Sequence, residues 1–137
     1  MKIEELNKNE KKKDIEKIRS QMIGDILAGK HNFEDNSKLA NYHAIFEENK
    51  EPYLINIWSL NNGLGYVIFH DFLIKVGQGH IFSSTDFEPA GEKLFQKAIN
   101  DGLIEQFSEK SGMSNITRWK VIGDPKENLK RLKEELS

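Results

Sequence analysis

The chain has 137 residues, enough for one domain with its own core, and its lack of cysteine excludes disulfides, zinc–thiolate sites and cysteine nucleophiles. With 20 Lys and Arg against 22 Asp and Glu, the formal net charge of −2 lacks the basic excess typical of nucleic-acid-binding proteins. The charged N-terminus has no signal-peptide core and no run reaches the length of a membrane helix, so we expect a cytoplasmic protein without membrane segments.

The first predicted element is an amphipathic helix over residues 10–28, after a frayed segment at residues 1–9. Gly29 stands where such a helix would end. The lysine run at residues 11–13 is interspersed with acids and is better interpreted as a solvated face than as a nucleic-acid handle. The apolar positions recur at three- and four-residue intervals: Ile15, Ile18, Met22, Ile23, Ile26 and Leu27.

Residues 39–47 favour a strand, although a helical stripe also fits them. Tyr42, Ala44 and Phe46 alternate with other residues as in a strand. Pro52, after a polar turn, disfavours a helix before it, so we predict a hairpin with the strand that follows.

The longest apolar and β-branched run, residues 53–83, predicts an antiparallel meander. Gly63, after two asparagines, is typical of a hairpin turn, and Gly77 and Gly79 suit the next reversal. Two reversals so close together leave no room for parallel crossovers. The predicted strands are residues 53–60, 64–70, 72–76 and 80–83, the middle two forming either one long strand or two strands with a bend.

The remaining elements are two helices, a strand and a last helix. A capping box at Thr85 and Glu88 with Pro89 in the first turn starts one helix, which Gly102 ends. Residues 103–107 continue into a short second helix, ended near Gly112. The sequence then predicts a strand over residues 116–122 and a helix after Asp124 and Pro125.

The order α-β-β-β-β-α-α-β-α predicts one α+β domain over residues 1–137. We expect an antiparallel sheet of four to five strands with the helices packed on one face. High contents of Lys, Asn and Ile are typical of bacteria with AT-rich genomes.

Two glycine pairs resemble phosphate-binding loops only superficially. Gly63 and Gly65, like Gly77 and Gly79, are not followed by the further glycines or the Lys-Ser/Thr pair of such loops, and a helix start is not predicted after either. We interpret them as turn glycines, and we expect no cofactor and no enzymatic activity.

A metal site is the alternative hypothesis. His70, Asp71 and His80 offer two imidazoles and a carboxylate on neighbouring predicted strands, as a small metal-dependent enzyme or metal-binding domain would require. Ligand number is its only support. A third alternative, a nucleic-acid-binding module led by the lysine-rich first helix, lacks basic residues in the predicted sheet. Because the predicted sheet lacks basic residues, we assign its aromatic residues to the core rather than to a base-stacking platform. They are Tyr53, Trp58, Tyr66, Phe69, Phe72 and Phe82.

Charge is distributed unevenly along the chain. Residues 31–92 hold nine acids and three lysines, so this segment is acidic and the two ends are basic. An acidic surface speeds association with a cationic partner. We therefore expect a non-enzymatic protein-binding module, for example an inhibitor or immunity protein that neutralises a basic nuclease toxin. The residues expected to contact this partner are Glu47, Glu48, Glu51, Tyr53, Trp58, Asp71, Asp86 and Glu88.

Overall fold

The structure, a computed structural model, describes residues 3–30, 40–59, 63–85, 89–108 and 116–136. Over these ranges the chain forms four helices and five strands, so the α+β class is confirmed. In chain order they are α1 (Ile3–Leu27), β1 (Ala40–Ile45), β2 (Tyr53–Ser59), α2 (Leu64–Val76), β3 (Ile81–Thr85), α3 (Pro89–Asn100), β4 (Ile104–Ser108), β5 (Ile116–Val121) and α4 (Pro125–Leu136).

The five strands form one mixed sheet in the order β1-β2-β3-β5-β4. The pairs β1–β2, β3–β5 and β4–β5 are antiparallel, and the predicted hairpin between β1 and β2 is confirmed. β2 and β3 are parallel, so the prediction of a purely antiparallel meander was wrong. A parallel pair needs a long crossover, and helix α2 provides it.

The central error concerns residues 64–76, which form helix α2 instead of strands. Gly63 does not turn a hairpin; it adopts a φ of 80° and forms the N-cap of this helix. The run is mostly apolar because every residue of α2 except Ile74 and Lys75 is buried, and a segment without a single apolar stripe has no periodicity that separates helix from strand. Its length of 13 residues exceeds that of a typical strand, and this length was the feature of the sequence that favoured a helix.

Helix α2 separates two apolar layers. Phe69, Phe72 and Phe82 belong to the layer between the sheet and helices α2 and α3. Ile23 and Ile68 belong to the second layer, where α1 and α4 pack on the far side of α2. The strand residues of the core point towards the helices, so the helices lie on one face of the sheet, as predicted.

Residues after α3 correct a second prediction. Residues 103–107 do not form a short helix, because Gly102 with a φ of 74° ends the turn after α3 and the chain extends into edge strand β4. Leu103 and Ile104 are buried there, and β4 pairs with β5. The last helix begins as predicted, with the Asp124 carboxylate accepting hydrogen bonds from the backbone N–H groups of Lys126 and Glu127.

Several predictions fall on residues that the structure does not describe. Asp86 and Glu88 lie outside the described residues, as do the Glu88 half of the predicted capping box and the predicted helix end near Gly112. Among the described helices, none has the length and hydropathy needed to cross a membrane.

Candidate functional site

The face of the sheet that points away from the helices is the candidate site. We call it the outer face. Strand register defines it, because residues paired across strands share a side and those next to the core residues point outwards. Phe107 lies at a register shift of β4 and is placed on this face by its contact with Arg118. The outer face consists of Asn41, His43 and Ile45 on β1, Tyr53, Asn56 and Trp58 on β2, Ile81, Ser83 and Thr85 on β3, Ile116, Arg118 and Lys120 on β5, and Glu105 and Phe107 on β4.

The outer face carries large apolar side chains in contact with solvent. Ile45 is 41% exposed, Trp58 37% and Phe107 47%, although full burial of a large apolar side chain stabilises a fold by about 1.5 to 3 kcal/mol. Ile45 lies on one edge strand and Phe107 on the other, about 19 Å apart for five strands. The part of the face between these two edges carries both apolar and polar side chains.

A charged cluster crosses the middle of the outer face. The Glu51 carboxylate pairs with the guanidinium of Arg118 on β5 and accepts a hydrogen bond from the Ser83 hydroxyl at 3.0 Å. The Arg118 guanidinium also lies 4.9 Å from the centroid of the Phe107 ring, a cation–π distance. The Arg118 hydrogen bond is the main reason why the pKa of Glu51 is lowered. Glu51 is therefore ionised and its charge is compensated.

The other hairpin acids differ in how far their charges are compensated. Glu47 and Glu48 lie between β1 and β2 and are exposed. The Glu47 carboxylate lies 2.9 Å from the ammonium of Lys50. Glu48 forms no ion pair within the described ranges, so its negative charge could attract a cationic partner at this end of the outer face. Tyr53, also expected to contact a partner, is half-buried on the same face.

Asp71 is fully buried and lies apart from the other predicted contact residues. Its carboxylate accepts a hydrogen bond of 2.6 Å from the Tyr42 hydroxyl and lies 3.1 Å from the ammonium of Lys75. Burial, reinforced by Asp71, raises the pKa of Tyr42. These contacts join α2 to β1, so Asp71 stabilises the fold and is out of reach of a partner.

His70 is also fully buried, in a hydrogen-bond network between α2 and α4. Its Nδ1 lies 2.7 Å from the Tyr66 carbonyl oxygen and its Nε2 lies 2.8 Å from Nδ2 of Asn128. The Asn128 Oδ1 accepts from Arg131, which leaves the amide N–H to point at His70. Nδ1 therefore carries the proton and Nε2 accepts. Burial lowers the pKa of His70 to about 4.

The residues of the metal hypothesis do not come together. His70 faces α4, Asp71 faces β1, and His80 is exposed in the turn after α2. Throughout the described ranges, no group of three or more His, Cys, Asp or Glu side chains is arranged to hold a metal ion.

The structure divides the aromatic residues between the core and the outer face. Tyr66, Phe69, Phe72 and Phe82 are buried, in line with the assignment to the core. Only Trp58 and Tyr53 of the predicted set reach the outer face. Phe107 and Arg118 were not among the predicted contact residues. Phe107 lies in the segment for which the sequence predicts a helix, whereas Arg118 lies in the correctly predicted strand β5. In β5, Arg118 and Lys120 alternate with core residues, and this alternation was the pattern in the sequence that could have indicated side chains on the outer face.

Comparison with protein-family models, with curated proteins and with solved structures finds no match for this chain. The site must therefore be interpreted from its own geometry.

Proposed function

We propose that the chain is a non-enzymatic protein-binding module that recognises a basic protein partner through the outer face. One observation carries the proposal: Ile45, Trp58 and Phe107 are exposed on a sheet face that no described helix covers. Aromatic and arginine side chains, such as Phe107 and Arg118 here, are the residues that most often dominate the energy of protein interfaces.

Charge supports a basic partner over a nucleic acid. On the outer face Arg118 forms an ion pair with Glu51, and Lys120 lies opposite Glu105 in the strand register. Glu48, beside this face, keeps an uncompensated negative charge among the described residues. A polyanion would gain few phosphate contacts here, whereas a cationic protein would be steered towards the hairpin. One specific version of this proposal is an inhibitor that neutralises a basic nuclease toxin.

The proposal is tested by comparing how well wild-type protein, an outer-face variant and a control variant capture the partner. The outer-face variant carries Ile45→Ser and Phe107→Ser, and the control carries Ile99→Ser and Ile122→Ser, which remove equally exposed apolar side chains elsewhere (39% and 40%). Immobilised wild-type protein, outer-face variant and control are incubated with a lysate of the native host at low salt, and captured proteins are identified by mass spectrometry.

The expected result is a basic protein that is captured by wild-type and control but lost from the outer-face variant. A protein captured equally by all three, an acidic protein, or no enrichment over the bare resin would refute the proposal. Circular dichroism of each variant verifies that loss of capture does not follow from loss of the fold.

A further inference from the structure

We propose that a cleft at the carboxyl end of β2 binds a small organic anion, with Lys93 and Lys97 holding its charged group. Strand β2 runs parallel to β3, and a cavity of about 370 Å³ opens where β2 ends and α2 begins. Ligands of open sheets with parallel strands bind at the carboxyl ends of the strands. The cavity is lined by Ile57, Trp58 and Ser59 of β2, Gly63, Gly65 and Tyr66 at the start of α2, and Lys93, Leu94 and Lys97 of α3.

Among the described residues that line the cleft, the charge is positive and uncompensated. Lys93 and Lys97 are one turn apart on α3, so their ammonium groups share a side of the helix and repel each other. No acidic side chain lines the cavity, and neither lysine forms an ion pair within the described ranges. The Lys97 ammonium lies 4.5 Å from the centroid of the Tyr66 ring, which orients it without neutralising it. A bound anion would relieve the repulsion.

Glycine leaves the floor of the cleft open. A Cβ atom at Gly65 would lie 3.0 Å from the Cβ and Oγ atoms of Ser59, so α2 approaches β2 closely here and a side chain at this position would require Ser59 to shift. The Ser59 hydroxyl thus stays next to the cavity as a hydrogen-bonding group. At Gly63, which has a positive φ, the Arg19 guanidinium packs against the start of α2, and a Cβ atom there would lie 2.6 Å from its Nη2.

The lining defines the class of ligand. Ile57 and Leu94 offer apolar contacts, whereas the two lysines and Ser59 offer donors for an anionic group. A cavity of this volume holds a small molecule, not a polymer. The ligand that fits is a carboxylate or a phosphate monoester on a compact apolar body. Trp58 borders both sites, but the charge-binding lysines of the cleft differ from the partner-binding side chains Ile45 and Phe107 that are varied in the capture experiment, so the two proposals can fail separately.

Titration calorimetry with phenyl phosphate and with benzoate tests the site and distinguishes the two anionic groups. The test variant carries Lys93→Gln and Lys97→Gln. The control carries Lys126→Gln and Lys130→Gln, which remove a pair with the same spacing from the exposed side of α4. Thermal unfolding establishes that both variants are folded.

The expected result is saturable binding of one probe per chain, weakened at least about tenfold in the test variant and by less than about twofold in the control. The stronger probe identifies the anionic group. The proposal is overturned if neither probe binds saturably, or if both variants bind as the wild-type protein does.

Discussion

Acid should destabilise this protein through His70, and a His70→Gln variant isolates the effect. The imidazole is buried, its Nδ1–H is donated to Tyr66, and its Nε2 accepts from Asn128. A second proton on Nε2 would face the Asn128 amide N–H, and turning that amide would point its N–H at Arg131. Neither arrangement satisfies the network, in agreement with the lowered pKa of about 4.

The size of the effect follows from proton linkage. The unfolded chain binds a proton at His70 near its ordinary pKa of 6.5, but the folded chain binds it only near a pKa of about 4. The unfolded state therefore takes up more protons between these values, and stability is lost as the pH falls through this window. From about pH 7.5 to about pH 4.5, His70 should remove about 2.5 kcal/mol from the free energy of unfolding.

Urea unfolding at both pH values, for wild-type protein, His70→Gln and His80→Gln, measures this contribution. His80 is exposed, so its variant controls for loss of a histidine. The carboxylates contribute equally to all three proteins. We expect the pH-dependent loss to be smaller by about 2.5 kcal/mol in His70→Gln and unchanged in His80→Gln. An identical loss in His70→Gln and wild-type protein would refute the neutral, buried imidazole.

The remaining predictions concern stability and are all measured as changes in the free energy of unfolding in urea. Because both of these residues of α2 are buried, Ile68→Ala and Phe69→Ala should each cost about 2 to 5 kcal/mol. The control Ile99→Ala, at an exposed position, should cost less than about 1 kcal/mol. A small cost at either buried position would contradict the placement of α2. Asp71→Ala leaves the Tyr42 hydroxyl without its acceptor and should cost about 2 kcal/mol, so a neutral effect would show that the hydrogen bond is not formed. Asp124→Ala removes the N-cap of α4 and should cost about 1 kcal/mol, an estimate that a change below about 0.2 kcal/mol would overturn.

Elements with one buried side could be predicted from the sequence. Helix α1 has a stripe of apolar residues because it packs on α2 and α4 along one side, and α4 has a cap at Asp124. Strands β1 and β5 alternate because one face of the sheet is open. In each case the two environments of the element leave a periodic pattern that can be detected without the structure.

The middle of the chain lacked such a pattern. Helix α2 is buried against the sheet on one side and against α1 and α4 on the other, so its apolar residues do not form one stripe, and His70 and Asp71 are buried with them. The mistaken strands then hid the parallel pairing of β2 and β3 and the helix start at Gly63. The cleft beside Lys93 and Lys97 could not be predicted either, because it lies between the end of β2 and the start of α2.

The candidate outer face was only half predictable. Tyr53 and Trp58 were found because β2 was assigned correctly, but Phe107 came from a segment taken for a helix. Local charge counts also could not show that Glu51 would meet Arg118, 67 residues later in the chain, or that Asp71 would be buried. Pairing of distant charges depends on strand order, which one-dimensional patterns do not contain.

The most direct test of the proposed function is the association rate of the captured basic partner, measured by interferometry at low and high salt. With wild-type protein the association rate should fall as salt rises. Glu48→Lys should slow association several-fold at low salt. The difference between the two association rates should disappear at high salt, because salt screens exposed charges. Equal association rates for wild-type protein and Glu48→Lys at low salt would contradict recognition of a basic partner at this end of the outer face.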